Sequence, residues 1–149
     1  MAQDSQGRRF LRVEVVDPDG LVFEGDVAMV VIPAAYGEIG ILPLHAPLVA
    51  KLDIGELRVK TLQGQWTSLA VAEGFVLVQE DRVIVLADAA ELASEIDEEQ
   101  AIRARDRALA NLAMIKEGKV PPGQEKLYPF REQMALRRQL NRLKVLRKA

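Results

Sequence analysis

The chain has no cysteine and only one histidine among its 149 residues. Without cysteine it can form neither a disulfide framework nor a thiolate metal site, and this composition suits a reducing compartment. A lone histidine argues against the usual zinc sites, and it leaves His45 without a cysteine or second histidine with which to build a catalytic pair. We therefore expect no metal site and no catalytic site in the chain.

A strong charge of one sign is also missing. The formal net charge is −2, from 20 basic and 22 acidic residues, which gives no global reason to expect nucleic acid or an anionic membrane as partner. No apolar run approaches the roughly 20 residues needed to cross a bilayer, and residues 1–9 lack the apolar core of a secretory signal. We expect membrane association only through a partner.

The hydrophobic content of 49% suffices for a real core, and residues 10–88 have the pattern of an all-β domain. Leu11, Val13 and Val15 alternate with polar residues, as in a half-buried strand. Turn signals recur between apolar runs, with residues 63–64 predicted as a two-residue hairpin turn. Short strands separated by frequent turns predict an antiparallel β-sandwich or flattened barrel. The strands are predicted at residues 11–15, 21–23, 27–32, 48–52, 57–62, 66–72, 75–78 and 83–86.

The residue pattern becomes helical after Asp88. Residues 94–97, Ser-Glu-Ile-Asp, have the form of a capping box with Ser94 as N-cap. Two prolines and a glycine mark residues 118–129 as a loop, and Pro129 is a suitable first residue for a second helix. The predicted fold is therefore α+β, with a β-domain at residues 1–88 and an antiparallel two-helix hairpin at residues 89–149.

The end of the predicted second helix, residues 137–148, carries basic residues and no acidic one. The basic residues are Arg137, Arg138, Arg142, Lys144, Arg147 and Lys148. A solvated face is the commoner fate of such a run, but an acidic partner would also relieve its self-repulsion. Because a two-helix hairpin has little interior of its own, it must rest on another surface, which makes it a candidate moving part.

The most distinctive stretch is GEIGILPLHAP at residues 37–47. Glycine supplies backbone angles that other residues avoid, and proline withholds an N–H group from a sheet, so we predict a shaped turn at a sheet edge. The glycines and prolines, on one interpretation, only build this corner. His45 is then a hydrogen-bonding group that stabilises the turn.

The pattern G-E-x-G-I-L-P-x-H-A-P closely resembles the signature loop of the epsilon subunit of F-type ATP synthases of bacterial type. Residues 73–91 are similar to the same family's E/G-G-F-x-x-V run followed by V-x-V-L-A-D-x-A-E. The likeness covers nearly the whole chain. It implies a non-catalytic component of the rotary central stalk of a proton-translocating synthase, without a required cofactor, at the cytoplasmic face of the cell membrane.

The resemblance also implies partners. The β-domain would bind the gamma subunit and the c-ring, with Glu38 as the main c-ring contact beside Gly40, Pro43 and His45. The hairpin would extend into the catalytic head of alpha and beta subunits and inhibit ATP hydrolysis. Its contacts with an acidic loop of the beta subunits would come from Arg137, Arg138, Arg142 and Lys144.

A regulatory ATP site is a further implication. Residues 96–101, IDEEQA, resemble the I/L-D-x-x-R-A motif with which some bacterial epsilon subunits bind ATP, and residues 135–143 resemble their second-helix element. The residues assigned in this way are Ile96, Asp97, Ala101, Arg138 and Arg142. However, Gln100 stands where the motif has arginine, and Asp97 is also explained as an acidic residue favoured in a helix's first turn. An ATP-sensing module therefore remains the alternative to a purely mechanical subunit.

Overall fold

The computed structural model describes residues 3–123 and 127–148. The chain forms two compact units, one that ends at Glu95 and one that runs from Ile96 to Lys148. The predicted boundary after Asp88 lies inside the last strand of the first unit. Strand pairing continues as far as Leu92, because the alanine-rich segment after Asp88 still pairs with the preceding strand.

The first unit contains seven strands. They are β1 (Leu11–Asp17), β2 (Gly20–Ala34), β3 (Gly37–Ile41), β4 (Leu48–Leu52), β5 (Gly55–Thr61), β6 (Trp66–Gln79) and β7 (Arg82–Leu92). β1 pairs with β2 and β7, β5 pairs with β2 and β6, and β6 pairs with β7, so these five strands close a flattened barrel. β4 pairs with β6 and, through Leu52 and Ala34, with the end of β2. β3 pairs with residues 30–34 of β2.

The predicted sandwich or flattened barrel is therefore confirmed, with one exception to its antiparallel pairing. Among the described strands, β1 and β7 alone run parallel. Parallel neighbours need a long connection between them, and here the whole of β2 to β6 supplies it.

The core consists of inward-facing aliphatic side chains from all these strands. Leu11, Val13 and Val15 are fully buried, as the alternating pattern predicts, and Val83 and Val85 of β7 are buried in the same core. Arg12 and Glu14, which lie between the buried residues of β1, are polar and partly exposed. Period-two patterning therefore decides which face of β1 and of the first half of β7 is buried.

Two predicted breaks between strands are absent. Residues 21–32 lie in one long strand, β2, and residues 66–78 lie in one strand, β6. β6 continues through Glu73 and Gly74 although both have positive φ, +54° and +125°. A glycine inside a strand pattern can mark a strand end, but here it allows close approach of a neighbouring backbone.

The predicted two-residue turn at residues 63–64 is also wrong. The β5–β6 loop has four residues, 62–65, and is closed by hydrogen bonds from the Thr61 N–H to the Gln65 carbonyl and from the Gly64 N–H to the Thr61 carbonyl. The turn needs one positive φ, which Gly64 supplies at +86°. The glycine thus identifies the position of the turn, but it does not determine the length of the loop.

The second unit is the helical hairpin. α1 spans Glu98–Glu117 and α2 spans Pro129–Lys148, as expected for a helix that starts at Pro129. A single 3-10 turn (Ala93–Glu95) precedes α1, so the predicted N-cap at Ser94 is wrong. The N-cap is Asp97, whose carboxylate accepts from the Gln100 N–H at 3.1 Å.

The two helices pack against each other in antiparallel order. Asn111 near the end of α1 donates to Glu132 near the start of α2, and Arg142 near the end of α2 donates to Gln100 near the start of α1. Gly118 ends α1 in the left-handed conformation. Neither described helix has the length and apolar character needed to cross a membrane.

Candidate functional site

Residues 37–47 divide into a strand and a loop. Residues 37–41 form β3 and pair regularly with β2, so the predicted turn is wrong for this half and holds for residues 42–47. The reason is the position of the prolines: both follow Ile41, and glycine does not prevent ladder pairing. The location at a sheet edge is as predicted.

The loop at residues 42–47, called the signature loop below, has a left-handed residue that is not glycine. Leu44 has φ of +68°, and its N–H donates to the Asp81 carboxylate at 2.6 Å. The His45 N–H donates to the Leu42 carbonyl at 3.1 Å. The ring nitrogen Nδ1 of His45 lies 2.7 Å from the Ala46 carbonyl oxygen, so the ring takes part in the loop's own hydrogen bonds. Both the backbone and the ring of His45 therefore make contacts within the loop.

Glu38 lies on β3 with its side chain largely exposed. Its carboxylate accepts from the Arg58 guanidinium at 2.9 Å, and the same guanidinium lies 5.5 Å from the centre of the Trp66 ring. Sequence reasoning missed Arg58, since it is far from Glu38 along the chain. The two residues become neighbours because β3 and β5 both pair with β2, opposite Pro33 and Val31 respectively.

Leu42 and Leu44 of the signature loop both have more than half of their surface exposed. His45 takes part in the turn's hydrogen bonds, and the two leucine side chains on either side of Pro43 are presented to solvent. Exposed aliphatic side chains on an ordered loop are a common feature of partner-binding surfaces.

A second exposed apolar surface lies on the outer face of β4, β6 and β7. It consists of Val49, Phe75, Leu77 and Leu86, called the apolar strip below, with exposures of 40% to 70%. Val49 is paired with Leu77, and Phe75 is paired with Leu86, so the four side chains are cross-strand neighbours. The available sequence signal was that β6 and β7 are apolar at both odd and even positions. A contiguous apolar patch on a sheet face marks an interaction site.

The basic residues of α2 differ in exposure. Arg137 and Lys144 are exposed, whereas Arg138 and Arg142 are half-buried. Arg142 donates to the side-chain oxygens of Gln100 and Gln139. Arg137 and Lys144 are thus accessible to solvent, although Arg137 also contacts the Met134 sulfur, whereas Arg142 donates to side chains within the hairpin.

The residues assigned to ATP binding are only partly brought together. Ile96 and Ala101 are buried, and the Asp97 carboxylate serves as the N-cap of α1. Gln100, at the position of the motif arginine, accepts a hydrogen bond from Arg142. The polar groups of the motif therefore contact one another in this conformation.

Metal binding finds no geometric support in the described part of the chain. No three His, Asp or Glu side chains within residues 3–123 and 127–148 are grouped so that they could hold an ion.

Comparison with known proteins agrees with this architecture. Residues 10–93 match the family model described as ATP synthase, Delta/Epsilon chain, beta-sandwich domain. The chain is 48% identical over 136 residues to the ATP synthase epsilon chain of Halalkalibacterium halodurans, a match that covers 91% of this chain and 96% of that protein. It is 43% identical over 138 residues to the ATP synthase epsilon chain of Dehalococcoides mccartyi, with 93% of each covered.

A solved structure shares the fold. A chain in the cryo-EM structure of the Euglena gracilis mitochondrial ATP synthase, OSCP/F1/c-ring in rotational state 1, superposes with a TM-score of 0.73 at 22% identity, covering 98% of this chain and 89% of that one. The family model matches more than half of the sequence, and the two bacterial relatives match nearly all of it. The chain therefore belongs to the ATP synthase epsilon chain family.

Proposed function

We propose that the chain is a non-catalytic subunit of the central stalk of a proton-translocating F-type ATP synthase, at the cytoplasmic face of the cell membrane. Its β-unit binds the gamma subunit and the c-ring and so couples ring rotation to the catalytic head. Its helical hairpin inhibits ATP hydrolysis. The Euglena structure is of a complex with OSCP, F1 and a c-ring, so a chain of this fold occurs in such a complex.

The apolar strip is the observation that carries the proposal. Four cross-strand neighbours in a water-exposed sheet face are costly unless a partner covers them, since burying apolar surface gains about 25 cal/mol per Å². The face is built on three paired strands. Such a face suits a stable docking partner, and we assign it to the gamma subunit.

The signature loop has a different character, and we assign it to the c-ring. It presents Leu42 and Leu44, and Glu38 stands beside it on the edge strand with Arg58 as its counter-ion. This small surface combines exposed leucines with one ion pair. Such a surface suits a contact that forms when the rotor is assembled. Gly40, Pro43 and His45 shape this end of the unit without presenting reactive chemistry.

The helical hairpin supports an inhibitory role through its separate packing. It forms its own compact unit, and it carries the exposed cations Arg137 and Lys144. A switch needs two arrangements that differ by a few kcal/mol, so that a partner can bias the balance. An acidic loop in the catalytic head would supply that bias by pairing with the exposed cations.

The gamma assignment is tested by placing a charge in the apolar strip. Leu86→Glu should weaken binding to purified gamma subunit at least tenfold, because the carboxylate would be desolvated in the interface. Leu21→Glu is the matched control, since Leu21 has 55% exposure against 56% for Leu86 but lies on β2. Equal affinity for both variants, measured by surface plasmon resonance, would contradict the assignment.

Regulation by ATP is a second candidate function. The contact between Gln100 and Arg142 favours it in one respect, because it joins the two motif elements at one place. Isothermal titration with ATP distinguishes the two functions: heat at millimolar or lower ligand would support a sensor. No heat would remove the sensor and leave the mechanical subunit.

A further inference from the structure

One carboxylate links the signature loop to a distant turn. Asp81 is 7% exposed and is the only buried polar or charged side chain in the part of the chain that the structure describes. It lies in the turn between β6 and β7, where its own φ is +60°. Its Oδ1 accepts the Leu44 N–H at 2.6 Å across 37 residues of sequence. A hydrogen bond from a backbone N–H to an ionised carboxylate is one of the stronger kinds, and burial strengthens it further.

The residue that Asp81 holds is in an unfavourable backbone conformation. Leu44 has φ of +68°, a region that glycine or asparagine enters easily and that leucine avoids. Glycine would build this turn without strain, but it would present no side chain. Leucine at this position has 62% of its surface exposed, so the strained backbone places an aliphatic group in solvent at the tip of the loop. Strain of this kind persists only where surrounding contacts hold it.

The anchor itself is fixed to the barrel. The Asp81 carbonyl accepts the Arg12 N–H at 2.8 Å, which connects the β6–β7 turn to β1. The loop conformation is thus transmitted from the rigid β1–β7 pair through Asp81 to Leu44. Glu80, which precedes Asp81 in the same turn, is exposed to solvent. The two acidic residues of this turn therefore differ in burial, and the buried one holds the loop.

We propose that Asp81 is a positioning residue for partner binding: its carboxylate fixes the left-handed backbone at Leu44 so that Leu42 and Leu44 are presented to the c-ring. The inference rests on the proposed function, since it concerns the surface assigned there to the c-ring. It predicts that c-ring affinity depends on a residue that does not itself meet the ring. Gamma affinity, which depends on the apolar strip, should not change.

The test uses the full chain with three substitutions. Asp81→Gly removes the carboxylate while suiting the positive φ at this position, so the turn itself is not strained. Asp81→Asn keeps a side-chain oxygen that can accept from Leu44. Glu80→Gly is the matched control, because Glu80 is in the same turn with φ of +51°. Each protein is measured for hydrogen exchange of the Leu44 amide by NMR, for affinity to purified c-ring in detergent, and for affinity to gamma.

The expected result for Asp81→Gly is at least tenfold faster exchange of the Leu44 amide and at least tenfold weaker c-ring binding, with gamma binding unchanged. Asp81→Asn should recover most of both losses, and Glu80→Gly should behave as the unsubstituted chain. Faster exchange without weaker ring binding would overturn the inference and leave the proposed function intact, as would equal losses of ring and gamma affinity. Failure of the unsubstituted chain to bind the ring would instead contradict the proposed function, and the inference with it.

Discussion

Gly74 lies in the middle of β6, where a side chain has no room. Its φ is +125°, and a Cβ added to it would lie 2.0 Å from the Leu86 carbonyl oxygen and 2.8 Å from the Cα of Ala87. Both atoms belong to the backbone of β7, so neither can move without breaking the β6–β7 pairing. This glycine is therefore required for steric reasons as well as for its backbone angle.

Substitution of Gly74 should separate the cost of the clash with β7 from the cost of the positive φ. Gly74→Ala should lower the free energy of unfolding by about 3 kcal/mol or more, because it adds a clash to the backbone strain. Gly20→Ala is the matched control: Gly20 has φ of +127°, and the methyl group of alanine there would have no atom within 4 Å, so about 1–2 kcal/mol of strain is expected. Urea denaturation followed by circular dichroism measures both. Equal losses would show that the clash is relieved at little cost.

At the scale of the element, α1 shows how a short-range pattern can identify a helix and misplace its start. The capping-box pattern at residues 94–97 correctly indicates a nearby helix, but β7 and a 3-10 turn occupy the residues up to Glu95. The helix can begin only where the chain leaves the β-unit. Asp97 then has the extended backbone of an N-cap, with φ of −82° and ψ of 104°.

Substituting Asp97 and Ser94 in turn distinguishes the observed N-cap of α1 from the predicted one. Asp97→Ala should destabilise the hairpin by about 1 kcal/mol, because the Gln100 N–H loses its acceptor. Ser94→Ala should change stability by less than about 0.5 kcal/mol, the usual range for an exposed position away from such contacts. Thermal unfolding monitored by circular dichroism gives both values. A larger loss for Ser94→Ala than for Asp97→Ala would contradict the observed cap.

At the scale of the whole molecule, the boundary at Glu95 determines where the chain can be cut to remove the hairpin without damaging the β-unit. Residues 89–92 of β7 pair with residues 69–72 of β6, so a chain that ends at Asp88 loses the end of a sheet as well as the helices. A chain that ends at Glu95 keeps the complete first unit.

Truncation should therefore have two different outcomes. Ending the chain after Glu95 should leave assembly intact and raise ATP hydrolysis by the reconstituted complex several-fold, because the helices proposed to inhibit hydrolysis are gone. Ending it after Asp88 should lower the melting temperature of the β-unit, because four cross-strand pairs are lost. Steady-state ATPase assays and calorimetry measure the two effects. Hydrolysis that does not rise after the Glu95 truncation would remove the inhibitory role.

A feature of this molecule can be predicted from the sequence when the residues that determine it are close together along the chain. The buried faces of β1 and β7 and the start of α2 at Pro129 follow from local period and residue type. The contacts of Leu44 with Asp81 and of Glu38 with Arg58 do not, because they join residues that only the sheet topology makes adjacent. Strand pairing joins residues that are far apart in the sequence, so a short motif does not show which strands pair. For that reason the motif identified the loop, while the residues that support the loop were found only in the structure.

The parallel pairing of β1 with β7 has a consequence for biosynthesis. During synthesis β1 can pair with β2 as soon as β2 has been made, but the other edge of β1 has no partner until residues 82–86 have been made. Non-local pairings of this kind slow folding, and an open strand edge invites association with other chains. The nascent protein therefore depends on the translation of its seventh strand before it is protected from aggregation.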